Sequence, residues 1–516
     1  MRTVATPGGL EQDTGKRGEP RLSSPSASES LSAAHDAERG HRQTPSTHST
    51  LLNSEAAEDS LESKLGLLKC HFTWNLLGGE NSLDAFEDRV CYQTEFQNRE
   101  FKATEYNLLA YIKHHRGENE AALECLQKAE EAIQQEHADQ AEIRSLVTWG
   151  NYAWVYYRMG RLSEARVYLD KVKQVCEKYS SPYRMESPEM DSEEGWSRLK
   201  CGRKHTERAK VCFEKCLEKD PKNPDFTSGL AISSYRLDNW PAPQNSIYAL
   251  RQAMRLSPDN QYVKVLLALK LQKVNEEAEA ERLVEEAVEK APCATDVLRG
   301  AAMLYRKKND PDTAIELLKK ALECSPNNAY LHCHIGVCYR AKVHEYPNRG
   351  QNVIYGEREE LQEMIEHAVY HLKRADELNG NLASVCSYLA CLYAQAGQYE
   401  EAEYYFQKEF SKELTSADRQ MLHLRYGNFQ WFQMKCESKT IHHFKEGVKI
   451  NQDPKVTEKM KYKLRSIVKT RLSKNSSDPE ALHLLEFLEE HNGKRQPAYE
   501  NSERGLDSGH LVLQHL

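Results

Sequence analysis

A repeat of 34 residues is the feature that most constrains the fold of this 516-residue chain. Its clearest unit carries Ala314, Leu318, Ala321 and Pro326, the spacing of a helix with one buried face and a turn after it. Equivalent positions 34 residues earlier, and 34 before those, hold Ala280, Val284, Ala287 and Pro292, and Ser246, Leu250, Ala253 and Pro258. Further copies start at Ala122, Ala165, Ala209, Ala368, Ala402 and Thr440. The small residues allow two antiparallel helices to approach closely.

The segment before each of these helices carries a second pattern. Trp149, Tyr152 and Tyr156 in one unit, and Gly336 and Tyr339 in another, fall on the W-x2-L-G-x2-Y spacing of a tetratricopeptide repeat. Proline after the second helix ends it and turns the chain. We therefore predict an all-α fold, a superhelical tetratricopeptide-repeat solenoid with about nine helix hairpins, whose first helices line a concave face.

Composition and spacing suggest how the repeats are divided. No Phe, Trp or Tyr precedes Phe72, so residues 1–60 are predicted to be a disordered extension. The long stretch QKAEEAIQQEHADQAEIRSLV reads as one helix, and SSPYRMESPEMDSEEG reads as a polar linker. We predict N-terminal repeats over 61–180, central repeats over 195–340, an insertion over 341–361, C-terminal repeats over 362–490 and a flexible tail over 491–516.

Several first helices end in a tyrosine followed by cations. These endings are Tyr157-Arg158, Tyr235-Arg236, Tyr305-Arg306-Lys307 and Tyr339-Arg340, and two other first helices end in Lys113-His114-His115-Arg116 and at Lys273. The repeat places them on the inner face, where cations would neutralise phosphates of a nucleic-acid strand and rings would stack on bases. Trp154 and Tyr157 are the candidates for base stacking. In the alternative interpretation the tyrosines are core residues and the arginines cap helix C-termini.

Other function classes lack support in the sequence. The net charge of −8 excludes a generally basic coat, so any anion site must be local. Fourteen scattered cysteines and the absence of a long apolar run indicate a cytoplasmic protein with reduced thiols and no membrane span. His332-Cys333-His334 with Cys338 lacks zinc-site spacing, so no metal and no cofactor are predicted. No phosphate loop or nucleophile motif is present, and we expect no enzyme.

Longer stretches resemble the interferon-induced proteins with tetratricopeptide repeats. The resemblance is carried by LKCHFTWNLLGGENSLDAFEDRVCYQTEFQNREFKATEYNLLAYIKHHRG, EIRSLVTWGNYAWVYYRMGRL, EEGWSRLKCG, NPDFTSGLAISSYRLDNWP and LHLRYGNFQ. It implies an antiviral RNA-binding protein, and for the most similar branch it implies single-stranded, AU-rich RNA. It also implies a homodimer, with exchanged helices as one form, and complexes with the first and third family members and a translation initiation factor. Restraint of translation and viral replication, and a pro-apoptotic role, belong to the same expectation.

The resemblance also assigns channel cations. They carry over to Arg89, Arg236, Lys307, Arg340 and Lys459, of which Arg89 and Lys459 lie outside the repeat pattern. Met303 stands where the resemblance implies a lysine, a departure that would weaken phosphate binding.

A peptide-binding scaffold is the alternative function, because this repeat commonly binds peptides. The version that clamps a C-terminal carboxylate needs inward lysines, whereas the first units offer Asn107, Tyr111, Asn151 and Asp225. That version is rejected, and other modes of peptide binding stay open.

Overall fold

The computed structural model describes residues 60–78, 83, 86–87, 90, 102–179, 181–238, 244–345 and 355–491. For 244, 345 and 355–358 it describes the backbone alone. The chain divides into two units, and all described residues belong to the unit Glu58–Leu516. The predicted extension up to residue 59, the tail from 492 and Arg89 therefore lie outside the described residues.

The described residues form helical hairpins, as predicted: residues 60–65 are helical, and between Lys102 and Glu490 twenty α-helices follow in ten consecutive pairs. The pairs are α1 (Lys102–His115) and α2 (Asn119–Glu136), α3 (Ala141–Arg158) and α4 (Leu162–Cys176), α5 (Pro188–Lys200) and α6 (Thr206–Lys219), α7 (Pro224–Leu237) and α8 (Gln244–Leu256), α9 (Gln261–Lys273) and α10 (Glu277–Lys290), α11 (Thr295–Lys307) and α12 (Pro311–Cys324), α13 (Ala329–Glu345) and α14 (Tyr355–Leu378), α15 (Val385–Gln395) and α16 (Tyr399–Phe410), α17 (Ser416–Phe432) and α18 (Glu437–Ile450), and α19 (Pro454–Lys474) and α20 (Pro479–Glu490).

The small and large landmarks of the repeat pack as predicted. The small residues Ala122, Ala165, Ala209, Ser246, Ala280, Ala314, Ala368, Ala402 and Thr440 are all buried, as are the larger residues four positions later. Phe213 shows how closely the helices pack, since a Cβ added at Gly229 of α7 would lie 2.4 Å from the Phe213 ring. Glycine on one helix thus makes room for a ring on its neighbour, and this close packing fixes the hairpin geometry.

In the first nine pairs the first helix buries a larger fraction of its residues than the second. In α9, eleven of 13 residues are buried, whereas the following α10 buries four of 14. The first helices also pack on one another, since a Cβ at Gly300 of α11 would lie 2.4 Å from Val265 of α9. The inner position of the first helices is what directs their C-terminal cations toward a common surface.

The structure corrects some sequence-based expectations. The repeat pattern did not predict the tenth hairpin, α19 with α20. This hairpin retains Ala481, the small residue of its second helix, but its first helix lacks the aromatic pattern of the other first helices. The expected long helix breaks at His137, where φ is −141°. The expected polar linker contains the start of α5, whose Pro188 follows the N-cap Ser187, ahead of the predicted domain start at 195.

The predicted insertion also proves to be partly helical. Much of the extra length around 341–361 extends two helices, since α13 has 17 residues and α14 has 24. Residues 346–354, between the two helices, lie outside the described residues. The buried side chains of the central core continue from Trp196 to Phe429, past the predicted boundary at 361. The other domain ranges stay predictions.

No helix in the described part of the chain is both long and apolar enough to cross a bilayer.

Candidate nucleic-acid interface

The two lysines at the end of α11 have different environments. The Lys308 ammonium pairs with Glu281 at 2.6 Å. Lys307 is exposed and, among the described residues, pairs with no carboxylate. Desolvation by surrounding protein, and then repulsion from Lys273, Arg306 and Lys270, lower the pKa of Lys307 to about 8. A side chain that is accessible and yet desolvated lies in a concave surface.

The cations near Lys307 belong to a longer series that crosses several first helices. Burial and the charge of Arg236 lower the pKa of Arg203. Burial, Lys273 and Arg203 lower the pKa of Lys270, against the opposing effect of Asp238 at 3.0 Å. Lys270 also lies 4.7 Å from the ring centre of Tyr235. These cations therefore lie close enough for each charge to act on its neighbours.

The series continues through Arg306 to α13 and α17. Burial is the largest cause that lowers the pKa of Arg340, and the charges of Arg425 and Arg306 add to it. The guanidinium groups of Arg340 and Arg425 lie 4.5 and 4.3 Å from the ring centre of Tyr388, which is fully buried. We term the series Arg203, Arg236, Lys270, Lys273, Arg306, Lys307, Arg340 and Arg425 the cation row.

Arg340 and Tyr388 each keep a buried polar atom without a partner. Arg340 is 7% exposed, and its Nη1 lies 2.8 Å from His344 Nε2. Its Nε, and the hydroxyl of Tyr388, find no hydrogen-bond partner within the described part of the chain. Most buried donors in proteins are satisfied by another polar atom or by an ordered water.

The cation row ends at a cavity of about 850 Å³, which we term the C-terminal cavity. Arg340, Arg425, Lys455 and Lys459 line it together with Asp453. Asp453 already accepts hydrogen bonds from the backbone N–H groups of Lys455 and Val456 at the start of α19. The structure therefore brings Lys459 and Arg340 to the same cavity, although the two lie far apart in sequence.

The alternative interpretation, in which tyrosines pack and arginines cap helices, holds in part. Tyr339 is buried, and Tyr235 and Tyr305 pack against the central core. Arg236 Nη1 donates to the carbonyl oxygen of Leu199 at 2.6 Å, in the last turn of α5. In this structure Arg236 thus caps a neighbouring helix as well as belonging to the cation row.

Arg158 and the two candidate stacking rings lie in the N-terminal repeats. Arg158 is exposed and its guanidinium lies 5.7 and 5.4 Å from the ring centres of Phe72 and Trp154. Trp154 is 8% exposed, stacks on Phe72 and donates to the carbonyl of Leu65. The Tyr157 hydroxyl donates to Glu62. These contacts occupy both rings, and base stacking by them stays a prediction that requires Phe72 or Arg158 to move.

The cationic ending of α1 differs from that of α11. Lys113 pairs with Glu118 at 2.8 Å, and Arg116 pairs with Glu87 at 2.6 Å. Desolvation, then the charges of His114 and Arg158, lowers the pKa of His115 to about 4. This ending is therefore largely neutralised at pH 7, unlike the one at Lys307.

Sequence reasoning missed five cations of the cation row, the C-terminal cavity and α11: Arg203, Lys270, Arg299, Arg425 and Lys455. Arg203 follows α5 in a turn outside the repeat pattern, and Lys455 opens α19 in the missed hairpin. Arg299 lies one turn before Met303, and its Nη1 is 3.9 Å from the Met303 sulfur. It places a positive charge beside the position where a lysine was expected. Inward positions of α11 and α17 could have predicted Arg299 and Arg425.

The histidine and cysteine group on α13 does not form a metal centre. His332 Nδ1 lies 3.0 Å from His371 Nδ1, and burial with repulsion from Arg306 and Arg299 lowers the pKa of His334 to about 3. Among the described residues no group of three His, Cys, Asp or Glu side chains is placed to bind a metal ion.

Comparison with known proteins places this fold in a class. Models of the tetratricopeptide repeat match residues 102–180 and 382–408, and the model of the Psidin N-terminal tetratricopeptide-repeat region matches residues 245–354. The chain is therefore a tetratricopeptide-repeat protein, in agreement with the hairpins and their landmarks.

Curated relatives then define the family. Human interferon-induced protein with tetratricopeptide repeats 2 is 71% identical over 463 residues, 89% of this chain and 98% of its own length. The mouse protein of that name is 58% identical over 460 residues, 89% and 97% of the two chains. Human antiviral innate immune response effector IFIT1 is 45% identical over 472 residues, 89% and 97% of the two chains. The chain belongs to the interferon-induced proteins with tetratricopeptide repeats, as its sequence predicted, and resembles the second member strongly.

Solved structures of a relative share the fold. A monomeric mutant of IFIT1 with Gppp-AAAA has a TM-score of 0.75 and 44% sequence identity, over 84% of this chain and 96% of that one. A human IFIT1 dimer with m7Gppp-AAAA has a TM-score of 0.72 and 44% identity, over the same shares of the two chains.

Proposed function

We propose that this protein is an interferon-induced antiviral effector that holds single-stranded, AU-rich RNA along the cation row. The observation that carries the proposal is the state of Lys273 and Lys307. Both are exposed, both repel neighbouring cations, and among the described residues neither pairs with a carboxylate. Keeping such charges together is unfavourable in the free protein, and a polyanion would relieve the repulsion.

The relatives support RNA as the polyanion. The IFIT1 structures contain oligonucleotides with capped or triphosphate ends. The preference for AU-rich RNA is proposed from the branch of the family that this chain resembles. From the same resemblance we propose a cytoplasmic location, restraint of viral replication and translation, and a pro-apoptotic role.

Self-association is part of the same proposal. IFIT1 has been solved as a dimer. By analogy we propose a homodimer of this chain, with exchanged helices as one form, and complexes with the first and third members of the family. A translation initiation factor is the further partner that the resemblance implies.

A binding comparison tests the proposed function. Fluorescence anisotropy at near-physiological salt would compare an AU-rich single strand with a duplex of the same length and with a capped RNA. The AU-rich strand is expected to bind at least about tenfold more tightly than the duplex, because a duplex cannot present splayed bases to an inner surface. Binding to the capped RNA alone would contradict the AU-rich preference. No binding to any of the three would contradict RNA binding and favour the peptide scaffold.

A further inference from the structure

The C-terminal cavity differs from the rest of the cation row in its walls. Besides its cations it is lined by apolar side chains, which include Met421, Leu424, Phe429 and Phe432. Its volume of about 850 Å³ lies within the usual range for small-molecule sites. Phosphate groups gain nothing from contact with apolar side chains. The apolar walls therefore point to a ligand that has an apolar part as well as a negative charge.

Phe432 is the side chain best placed to meet that apolar part. It is the last residue of α17, lines the cavity and is 47% exposed. The Lys463 ammonium lies 4.6 Å from its ring centre. Phe432 therefore presents an exposed aromatic ring at the cavity wall, the type of side chain on which proteins stack a nucleobase.

The cavity also contains groups that could hydrogen-bond to the edge of a base. Four carboxamides line it: Gln395, Asn428, Gln433 and Gln452. Each carboxamide carries both a donor and an acceptor, as the edges of adenine and uracil do. At the end nearest the cation row, the buried Arg340 Nε is a donor without a hydrogen-bond partner among the described residues.

We infer that the C-terminal cavity is a nucleotide-binding pocket that takes one nucleotide of a bound RNA strand. Its phosphate contacts Arg340 and Arg425, its base stacks on Phe432, and the carboxamides contact the edge of the base. Charge complementarity selects this occupant, since four cations face a single carboxylate that already caps α19. The inference deepens the proposed function and rests on it, because the strand would reach the cavity along the cation row.

The Phe432→Ala variant tests the pocket in RNA binding. Loss of one stacking contact is expected to weaken binding of the AU-rich strand roughly tenfold, with the salt dependence unchanged because no charge is lost. Met434→Ala is the matched control, since Met434 is two residues away, 44% exposed and absent from the cavity wall. If both variants bind RNA like the wild type, the pocket is contradicted while the proposed function stands.

A second measurement tests the pocket without a strand. Saturation-transfer NMR would detect AMP and UMP on the wild-type protein, on Met434→Ala and on Ala417→Trp, which places an indole in the cavity. Base-proton signals are expected for the first two proteins and are expected to be lost in Ala417→Trp. Equal base-proton signals on all three proteins, or no signal on any of them, would overturn the proposed pocket. This result would hold whether or not RNA binds elsewhere on the protein. Circular dichroism would establish that Ala417→Trp is folded.

Discussion

Replacing both Lys273 and Lys307 with glutamate is expected to reduce affinity for single-stranded RNA at least about 100-fold, since each charge-assisted hydrogen bond contributes roughly 1.5–3 kcal/mol. Both side chains are exposed, so the fold should tolerate the change. Lys307 is repelled by Lys273, Arg306 and Lys270, and a glutamate at this position would be attracted to the remaining cations. The melting temperature should therefore stay the same or rise while RNA binding is lost. Anisotropy and thermal unfolding measure the two effects separately.

The matched control reverses Lys219 and Lys222, which are exposed at the end of α6 and in the turn after it. This double variant changes the net charge by the same amount but leaves the cation row intact. It should bind RNA within about threefold of the wild type, since a screened distant charge has little effect at physiological salt. Equal losses in the two double variants would show that net charge, and not the cation row, governs binding.

The Phe213→Ala substitution is expected to have the largest effect on stability. Phe213 is fully buried on α6, its ring packs edge-on against Trp196, and Gly195 and Gly229 face it without side chains. The glycines cannot fill the space that the ring leaves, so local unfolding of α5–α7 should become easier by about 3–5 kcal/mol. Because a solenoid is stabilised mainly by contacts between adjacent repeats, amide hydrogen exchange is the suitable measurement.

The exchange experiment has an internal and an external control. Protection should fall in α5–α7 and persist in α17–α20, which share no contact with Phe213 in the repeat order. Val211→Ala removes a side chain that is 48% exposed on the same helix and should leave protection close to that of the wild type. Similar protection in Phe213→Ala and Val211→Ala would contradict the role of the ring as the contact that joins these hairpins.

The fold was predictable because its determinants are local and periodic. A small residue such as Ala314, four positions before a large one such as Leu318, indicates which face of a helix is buried. Both residues are buried in the structure. The boundaries of individual helices were less predictable. The break at His137 depends on backbone geometry, and α19 with α20 retains too little of the repeat pattern to be recognised from spacing.

The candidate site was predictable only in part, because side-chain partners are set by contacts between distant segments. The sequence ends α1 and α11 alike in cations, yet Glu87 and Glu118 pair with those of α1 while Lys307 stays without a carboxylate partner in the described structure. Spacing could not show that Arg340 and Arg425 share the ring of Tyr388. Nor could it show that Lys459 shares a cavity with Arg340.

Cross-linking an AU-rich RNA that carries 4-thiouridine to the wild-type protein, followed by mass spectrometry of the peptides, tests the position of the strand most directly. If the RNA lies along the cation row, adducts should map to the first helices α7, α9, α11, α13 and α17. Adducts confined to the second helices α8, α10 and α12, with RNA still bound, would place the strand on the outer surface and contradict the account.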